Sequence, residues 1–424
     1  MGGAVLTSLN GVVGSGIFAL PALLFAAAGS FSPFAILIFA CFYGSVLAVI
    51  AKLSTVFRQS GGSQLYAEHA FGPTVGFLVG WFSATSNMAG IGANLHVLVS
   101  YLAAIFPFFE DPTVRLVTMA LLVLSFAAIS ASGAVRAIEA IAVGTVLKLA
   151  PILILIAVGL SQSGVPTDVT FPQFSEVESI ALLLAFAFSG CDMAAHAAGE
   201  HKEPRKTLMP AMLGNLAMVA LFYALVQLAY SATAPDATQA DIPLAAMGEK
   251  VLGPTGVLMV SVAAIFSTAT LQLNLFYLSP RMLYGMARRG LLPHVFAYVS
   301  PRFQSPVVTI GFFGAVVAVL ALSGTFELLA ILLVSVEQLG FLAVIGALIV
   351  MWKRGDAGLR ETMDFRWVII IAVAIGYIFW LLSQLEVSSI FYTAIMVSIG
   401  IALYFASKGV AVRQDAIDLP EGRA

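Results

Sequence analysis

The chain has 424 residues, of which 60% are hydrophobic and only 10% charged, and its formal net charge is -2. So little charge cannot cover a soluble globular surface, and no basic block or stripe offers a nucleic acid a place to bind. Apolar stretches of about 20 residues, the length a helix needs to cross the hydrocarbon layer, recur from end to end, so the chain reads as an all-α integral membrane protein.

Apolar runs between polar breaks predict about twelve transmembrane helices, with cores near 3–28, 32–56, 75–106, 114–132, 137–161, 179–199, 208–232, 254–280, 305–323, 327–352, 366–384 and 388–407. The link "TAPDATQADIPLAAMGEKVLGP" between the seventh and eighth spans is long enough for a short outer helix. Of the 20 basic residues, Lys148 lies within a span, Arg115 and Lys250 fall in loops of one side, and the remaining 17 fall on the other. Positive charge accumulates on the cytoplasmic side, which puts both termini in the cytoplasm of a multi-pass protein of the cytoplasmic membrane. Cys41 and Cys191 lie inside spans, where a thiol packs as a small apolar group. The five histidines are scattered without metal-ligand spacing, so no metal or other cofactor is expected. No basic segment precedes the first apolar run, unlike a cleaved signal peptide.

Two spans are interrupted. In "LNGVVGSGIFALP" the first carries Gly11, Gly14, Ser15 and Gly16 in its middle, although each glycine costs roughly 1 kcal/mol against alanine inside a helix. In "LLLAFAFSGCDMAAHAAGE" the sixth is apolar through Phe188, then carries Ser189, Gly190, Cys191 and Asp192. Breaks in the first and sixth spans divide the chain into two five-helix repeats, 1–162 and 177–353. A pair of C-terminal helices (365–408) and a cytoplasmic tail (409–424) follow. With an odd number of crossings the second repeat is inverted, the pattern of secondary transporters. A broken helix is tolerated at membrane depth where its freed backbone groups find a cavity, a ligand or protein partners. Exposed N–H groups suit a carboxylate and exposed carbonyls an ammonium, so a broken pair makes a receptor for the two ends of an α-amino acid. The alternative is that Gly14 and Gly16 simply allow close helix packing.

With these motifs the chain resembles the amino acid–polyamine–organocation superfamily, the permeases with the LeuT-type fold. "VVGSGIFALP" is similar to the first-helix signature, and "QSGGSQLYAEHAFGPTVGFLVGW" to the segment between the second and third helices. "FSGCDMAAHAAGEHKEPRKTLMPAM" resembles the sixth-helix motif, and "SPRMLYGMARRGLLPHVFAYVSPRFQSPVVTI" the loop after the eighth helix. The resemblance implies that backbone N–H groups and the hydroxyl around Gly14, Ser15 and Gly16 hold a substrate carboxylate. Carbonyls near Val12, Phe186 and Ser189, beside Gly190, take the ammonium. Phe186 matches the family's aromatic gate, or is an ordinary core ring. Two departures stand out: Met1 almost abuts the first span, so the start is either trimmed or anchored by the terminal amine, and Cys191 replaces a usual large apolar residue.

Charges inside the spans need a partner or a purpose. A lysine at mid-span costs at least ~2.5 kcal/mol, and Lys148 in "GTVLKLAPILILI" resembles the fifth-helix "KL-x-P" of sodium-independent members. There the lysine takes the place of a sodium ion, with the eighth-helix hydroxyls Ser267 and Thr268 as neighbours, and carries a coupled proton or forms a static salt bridge to Asp192 or Glu337. Asp192 orients the unwound backbone, couples protons or attracts a cationic side chain. Glu337, in "LLVSVEQLGF", is too far from either end to snorkel and faces a wet cavity or a basic partner. Asn87, Asn94 and His96 in the third span, and His196 after the sixth break, line a pocket or act as interhelix hydrogen-bonding glue.

The expected function is secondary active transport of amino acids by alternating access, sodium-independent and either proton-coupled or an exchange. A polyamine or organocation carrier and an amino-acid exporter share the architecture. An enzyme would need clustered catalytic groups and a sensor a sizeable soluble domain; this sequence offers neither. The partners expected are a small-molecule substrate and the lipid bilayer.

Overall fold

The structure is a computed structural model describing residues 14–57, 61–132, 137–166, 168–196, 204–236 and 239–407, with the backbone alone at 137–148, 194, 196, 204–206 and 357. Proline and glycine punctuate the helices. The first, α1 (Gly16–Ala28), passes through the three-residue 3-10 turn Gly29–Phe31 into α2 (Ser32–Ser54), which has Pro33 in its opening turn. A short helix, α3 (Gly62–Phe71), ends at Gly72, where a φ of 89° turns the chain into α4 (Pro73–Ile105). Asp111 caps α5 (Pro112–Ala131), its carboxylate accepting from the amides of Thr113 at 2.9 Å and Val114 at 3.0 Å. Helix α6 (Ala137–Ser163) completes the first series.

The second series opens on α7 (Phe174–Ser179) and α8 (Ala181–Phe188), continues through the four-residue α9 (Met193–His196), and enters α10 (Pro204–Thr233). Then come α11 (Pro243–Leu252), α12 (Pro254–Arg288), α13 (Val307–Ser323) and α14 (Phe326–Arg354). The short α15 (Leu359–Thr362) leads to α16 (Phe365–Ser383) and α17 (Val387–Ser407). Among the described residues, eight helical segments are long and apolar enough to cross a membrane. One of them, Gly16–Ser54, is α1 and α2 counted together.

Among the described residues the apolar cores read from the sequence overlie helices, the first from Gly16 onward and the sixth with an interruption at 189–192, and the outer helix expected between the seventh and eighth is α11. Two differences have physical reasons. Helix α12 runs on to Arg288, beyond the core ending at 280, because Pro280 is accommodated inside it. Helix α3 escaped apolar periodicity, being short and mixed in polarity.

Burial sorts the bundle into layers. Helix α8 is buried throughout, packed against α14, α2 and α1. By contrast Leu124 of α5, Phe379 of α16 and Phe405 of α17 stay exposed, as suits a lipid-facing rim. Two buried polar side chains pin α1. The Tyr101 hydroxyl donates to the Phe18 carbonyl at 2.8 Å, and Gln227 Nε2 donates to the Pro21 carbonyl at 3.1 Å and to Ser32 Oγ at 2.9 Å. The two interrupted segments therefore sit at the centre, held by the helices around them.

Candidate functional site

The sixth span is broken where the sequence breaks it. Helix α8 ends at Phe188, and the amides of Ser189, Cys191 and Met193 turn to the carbonyls of Phe186, Phe188 and Gly190, three residues back, at 3.2, 3.2 and 3.1 Å. Gly190 has φ of +94°, a conformation that a side chain disfavours. Of the first span, the structure describes the residues from Gly14 onward, with α1 beginning at Gly16. The amides of Phe18 and Ala19 both reach the Ser15 carbonyl, at 3.0 and 2.9 Å. The amides of Gly16 and Ile17 stand in the first turn and have no acceptor among the described residues.

The two segments meet. A Cβ built on Gly16 would lie 3.4 Å from Ala187 Cα and 3.8 Å from Phe186 Cε1. Beside this contact lies a cavity of about 700 Å³, walled by both interrupted segments and by α3, α4, α12 and α14. It extends to Gln64 and to Arg289, whose side chain is 42% exposed and pairs with Glu68 at 2.6 Å. At the opposite side Phe186, 8% exposed, sets its ring edge-on to Phe326 with centroids 5.7 Å apart. Phe326 does not line the cavity, so this ring pair separates it from the N-terminal end of α14.

Gly14, Ser15, Gly16, Phe186, Ser189, Gly190, Asp192 and Glu337 all line this one cavity. Ser189 Oγ donates to Glu337 Oε2 at 2.8 Å, tying the break to α14. Glu337 also interacts electrostatically with Asp192. Ser15 Oγ, Ser63 Oγ, Gln64 Nε2 and Ser279 Oγ line the cavity as buried atoms with no hydrogen-bond partner among the described residues. Buried polar atoms are rarely left so, and a polar ligand or water in the cavity would satisfy them.

Some expected residues lie elsewhere. Val12 is outside the described residues, as are the side chains of Lys148 and His196. Ser267 and Thr268 are buried in α12 but do not line the cavity, and Thr268 Oγ1 donates to its own helix at the Ala264 carbonyl, 2.7 Å away. Helix α6 packs on α12, the neighbour expected for Lys148. Asn87 and Asn94 line the cavity, whereas His96 Nε2 bonds the Ala321 carbonyl at 3.0 Å and serves as glue to α13. Sequence reasoning missed Gln64, Ser83, Ser86, Ser279 and Arg289, all on the cavity wall. A signal was present in α4: Ser83, Ser86, Asn87, Gly90 and Asn94 follow helical spacing, a small and polar stripe along an apolar span.

The profile described as amino acid permease matches residues 3–406. The chain belongs to this family. The permease is 25% identical to the methylthioribose transporter of Bacillus subtilis (strain 168), over 94% of this chain and 91% of that one. It is 27% identical to the branched-chain amino acid permease BcaP of Lactococcus lactis subsp. cremoris (strain MG1363), over 93% of this chain and 91% of that protein. Its fold is similar to that of MhsT in complex with L-phenylalanine, with a TM-score of 0.62 at 15% identity, covering 95% of this chain and 98% of the other. The likeness shows the LeuT-type fold. The permease is thus an integral membrane transporter of amino acid permease type.

Proposed function

We propose that the permease carries an amino acid across the cytoplasmic membrane by alternating access, and that this conformation is open toward the cytoplasm. One observation carries the reading: Gly14–Gly16 and Ser189–Gly190, the two interrupted segments, border the same cavity. Free amides at the start of α1, with Ser15 Oγ, hold the substrate carboxylate. Carbonyls around Val12, Phe186 and Ser189 hold its ammonium, and Phe186 is the closed outer gate. The cavity reaches Arg289, on the side that carries most of the Lys and Arg, and the positive-inside bias makes that side cytoplasmic together with both termini. Residues 1–162 and 177–353 act as the two inverted halves, rocking about the fixed site.

Transport is sodium-independent, with Lys148 in place of the ion between α1 and α12 and Ser267 and Thr268 beside it. Proton coupling through Lys148 is one mode and exchange another. Radiolabelled amino acids presented to proteoliposomes of the purified protein test the reading. Saturable uptake or counterflow is expected, abolished by Gly190→Val, and its absence for every amino acid overturns the proposal.

A further inference from the structure

We propose that the N-terminus of α3 forms a second subsite at the cytoplasmic end of the cavity, which takes the α-carboxylate of the amino acid after it has left the interrupted segments. The inference rests on amino-acid transport through this cavity and adds a station on the way to the cytoplasm.

Helix α3 begins at Gly62 and turns its first residues to the cavity, which Gly61, Ser63, Gln64 and Leu65 all line. The amides of Gly62, Ser63 and Gln64 have no backbone acceptor among the described residues. Amides left free at a helix start favour an anion. Gly61 and Gly62, at φ of +154° and +55°, carry no Cβ to cover that turn.

Two buried side chains point independently to a ligand here. Ser63 and Gln64, 4% and 7% exposed, line the cavity, and Ser63 Oγ and Gln64 Nε2 have no hydrogen-bond partner among the described residues. Buried donors are rarely left so. Gln64 is also held in place: a Cβ on Gly80 of α4 would lie 3.0 Å from its Cδ and its Oε1, so the amide sits in a notch that only glycine leaves open. Arg289 lines the same end, and Glu68 engages its Nη1 at 2.6 Å, which leaves further guanidinium N–H groups to donate. Amides, a hydroxyl, a carboxamide N–H and a guanidinium together make a donor set suited to a carboxylate.

Contacts along α4 set the height of this subsite. A Cβ on Gly90 would meet Leu333 of α14, and one on Gly340 of α14 would meet Phe82, so the two helices run antiparallel with Glu337 near the level of Ser86. Ser189 of the second interruption bonds Glu337 at 2.8 Å, and Gly16 of the first touches Ala187. Gly80, the neighbour of Gln64, lies about six residues nearer the cytoplasmic end, about 9 Å at the helical rise. A carboxylate held at Gly14–Gly16 is therefore out of reach of Gln64, and the 700 Å³ cavity spans both positions.

The test is equilibrium binding of radiolabelled leucine, serine, phenylalanine, lysine and glutamate to the purified full-length protein, counted as molecules bound per chain. A compound that binds is expected at two molecules per chain in wild type, the second more weakly. Gln64→Glu sets a carboxylate in place of the donor at the same side-chain length. It should weaken the second site about tenfold or more and leave the first unchanged. Should Gln64→Glu fail to fold, Gln64→Met keeps the packing against Gly80 without a donor, and the same selective loss is expected. A single molecule per chain in wild type overturns the inference and leaves the transport reading intact, as does a second site of equal affinity in wild type and variant. Loss of both sites together in a variant that melts like wild type also overturns it, because the two positions would then be one. No binding by any of the five compounds overturns both.

Discussion

Gly16 and Ala187 touch across the two interrupted segments: a Cβ on Gly16 would stand 3.4 Å from Ala187 Cα. The contact puts the amides at the start of α1 directly beside the last turn of α8, and a single methyl group is the most it can admit. Gly16→Ala should therefore keep transport near wild type. Gly16→Val should drive the segments apart at an overpacking cost of about 1–3 kcal/mol, corresponding to roughly ten- to hundredfold in substrate affinity. Melting curves of the ligand-free protein and binding titrations of the two variants check this. Equal binding by both would mean that the contact does not shape the site.

The place proposed for Lys148 predicts the ion requirement. A protein ammonium standing where sodium would bind makes external sodium unnecessary, so uptake into sodium-free proteoliposomes should match uptake with sodium. Lys148→Ala should abolish accumulation driven by a pH gradient while exchange of bound substrate survives. An absolute sodium requirement would sink the first expectation. Accumulation by the variant on a pH gradient would show that the lysine is not the coupling group.

How far these features were legible in the sequence depends on the kind of signal each leaves. The spans were readable because crossing a bilayer demands an apolar run of fixed length. The break at Ser189–Asp192 was readable because glycine and a charge inside such a run are costly, so their presence marks a purpose. Glu337 was singled out for the same reason, yet its partner Ser189 lies 148 positions away and could only be found in three dimensions. Gln64 and Arg289 stayed hidden, since a polar residue near a helix end is the ordinary case and carries no surprise. His96 shows the converse: a conspicuous intramembrane residue that turned out to hold α4 to α13 rather than face the cavity.

Gly90 makes room for Leu333. A Cβ at Gly90 would come within 2.7 Å of Leu333 Cδ1, and both residues line the cavity. Because the clashing atom is the end of a flexible side chain, Gly90→Ala should destabilise the protein by only about 1 kcal/mol, the low end for overpacking. Adding Leu333→Val should recover most of that loss. Thermal denaturation of the two single variants and the double variant gives the coupling directly. Additive losses would mean that the two residues do not compete for space.

The pair between Glu68 of α3 and Arg289 at the end of α12 stands at the mouth of the cavity, 2.6 Å apart. With the Arg289 side chain 42% exposed, water screens the attraction, and pairs of this kind contribute about 0–1 kcal/mol. Glu68→Gln and Arg289→Gln should therefore shift the melting temperature little. Access should change more, because the pair holds α3 against α12 where the cavity opens. A cysteine placed at Ser279, which lines the cavity, should react faster with a membrane-impermeant thiol reagent added from the cytoplasmic side when either partner is neutralised. The exchange Glu68→Arg with Arg289→Glu should return the labelling rate toward that of the unmodified pair. A stability loss of several kcal/mol in the single variants would instead assign the pair to holding the fold.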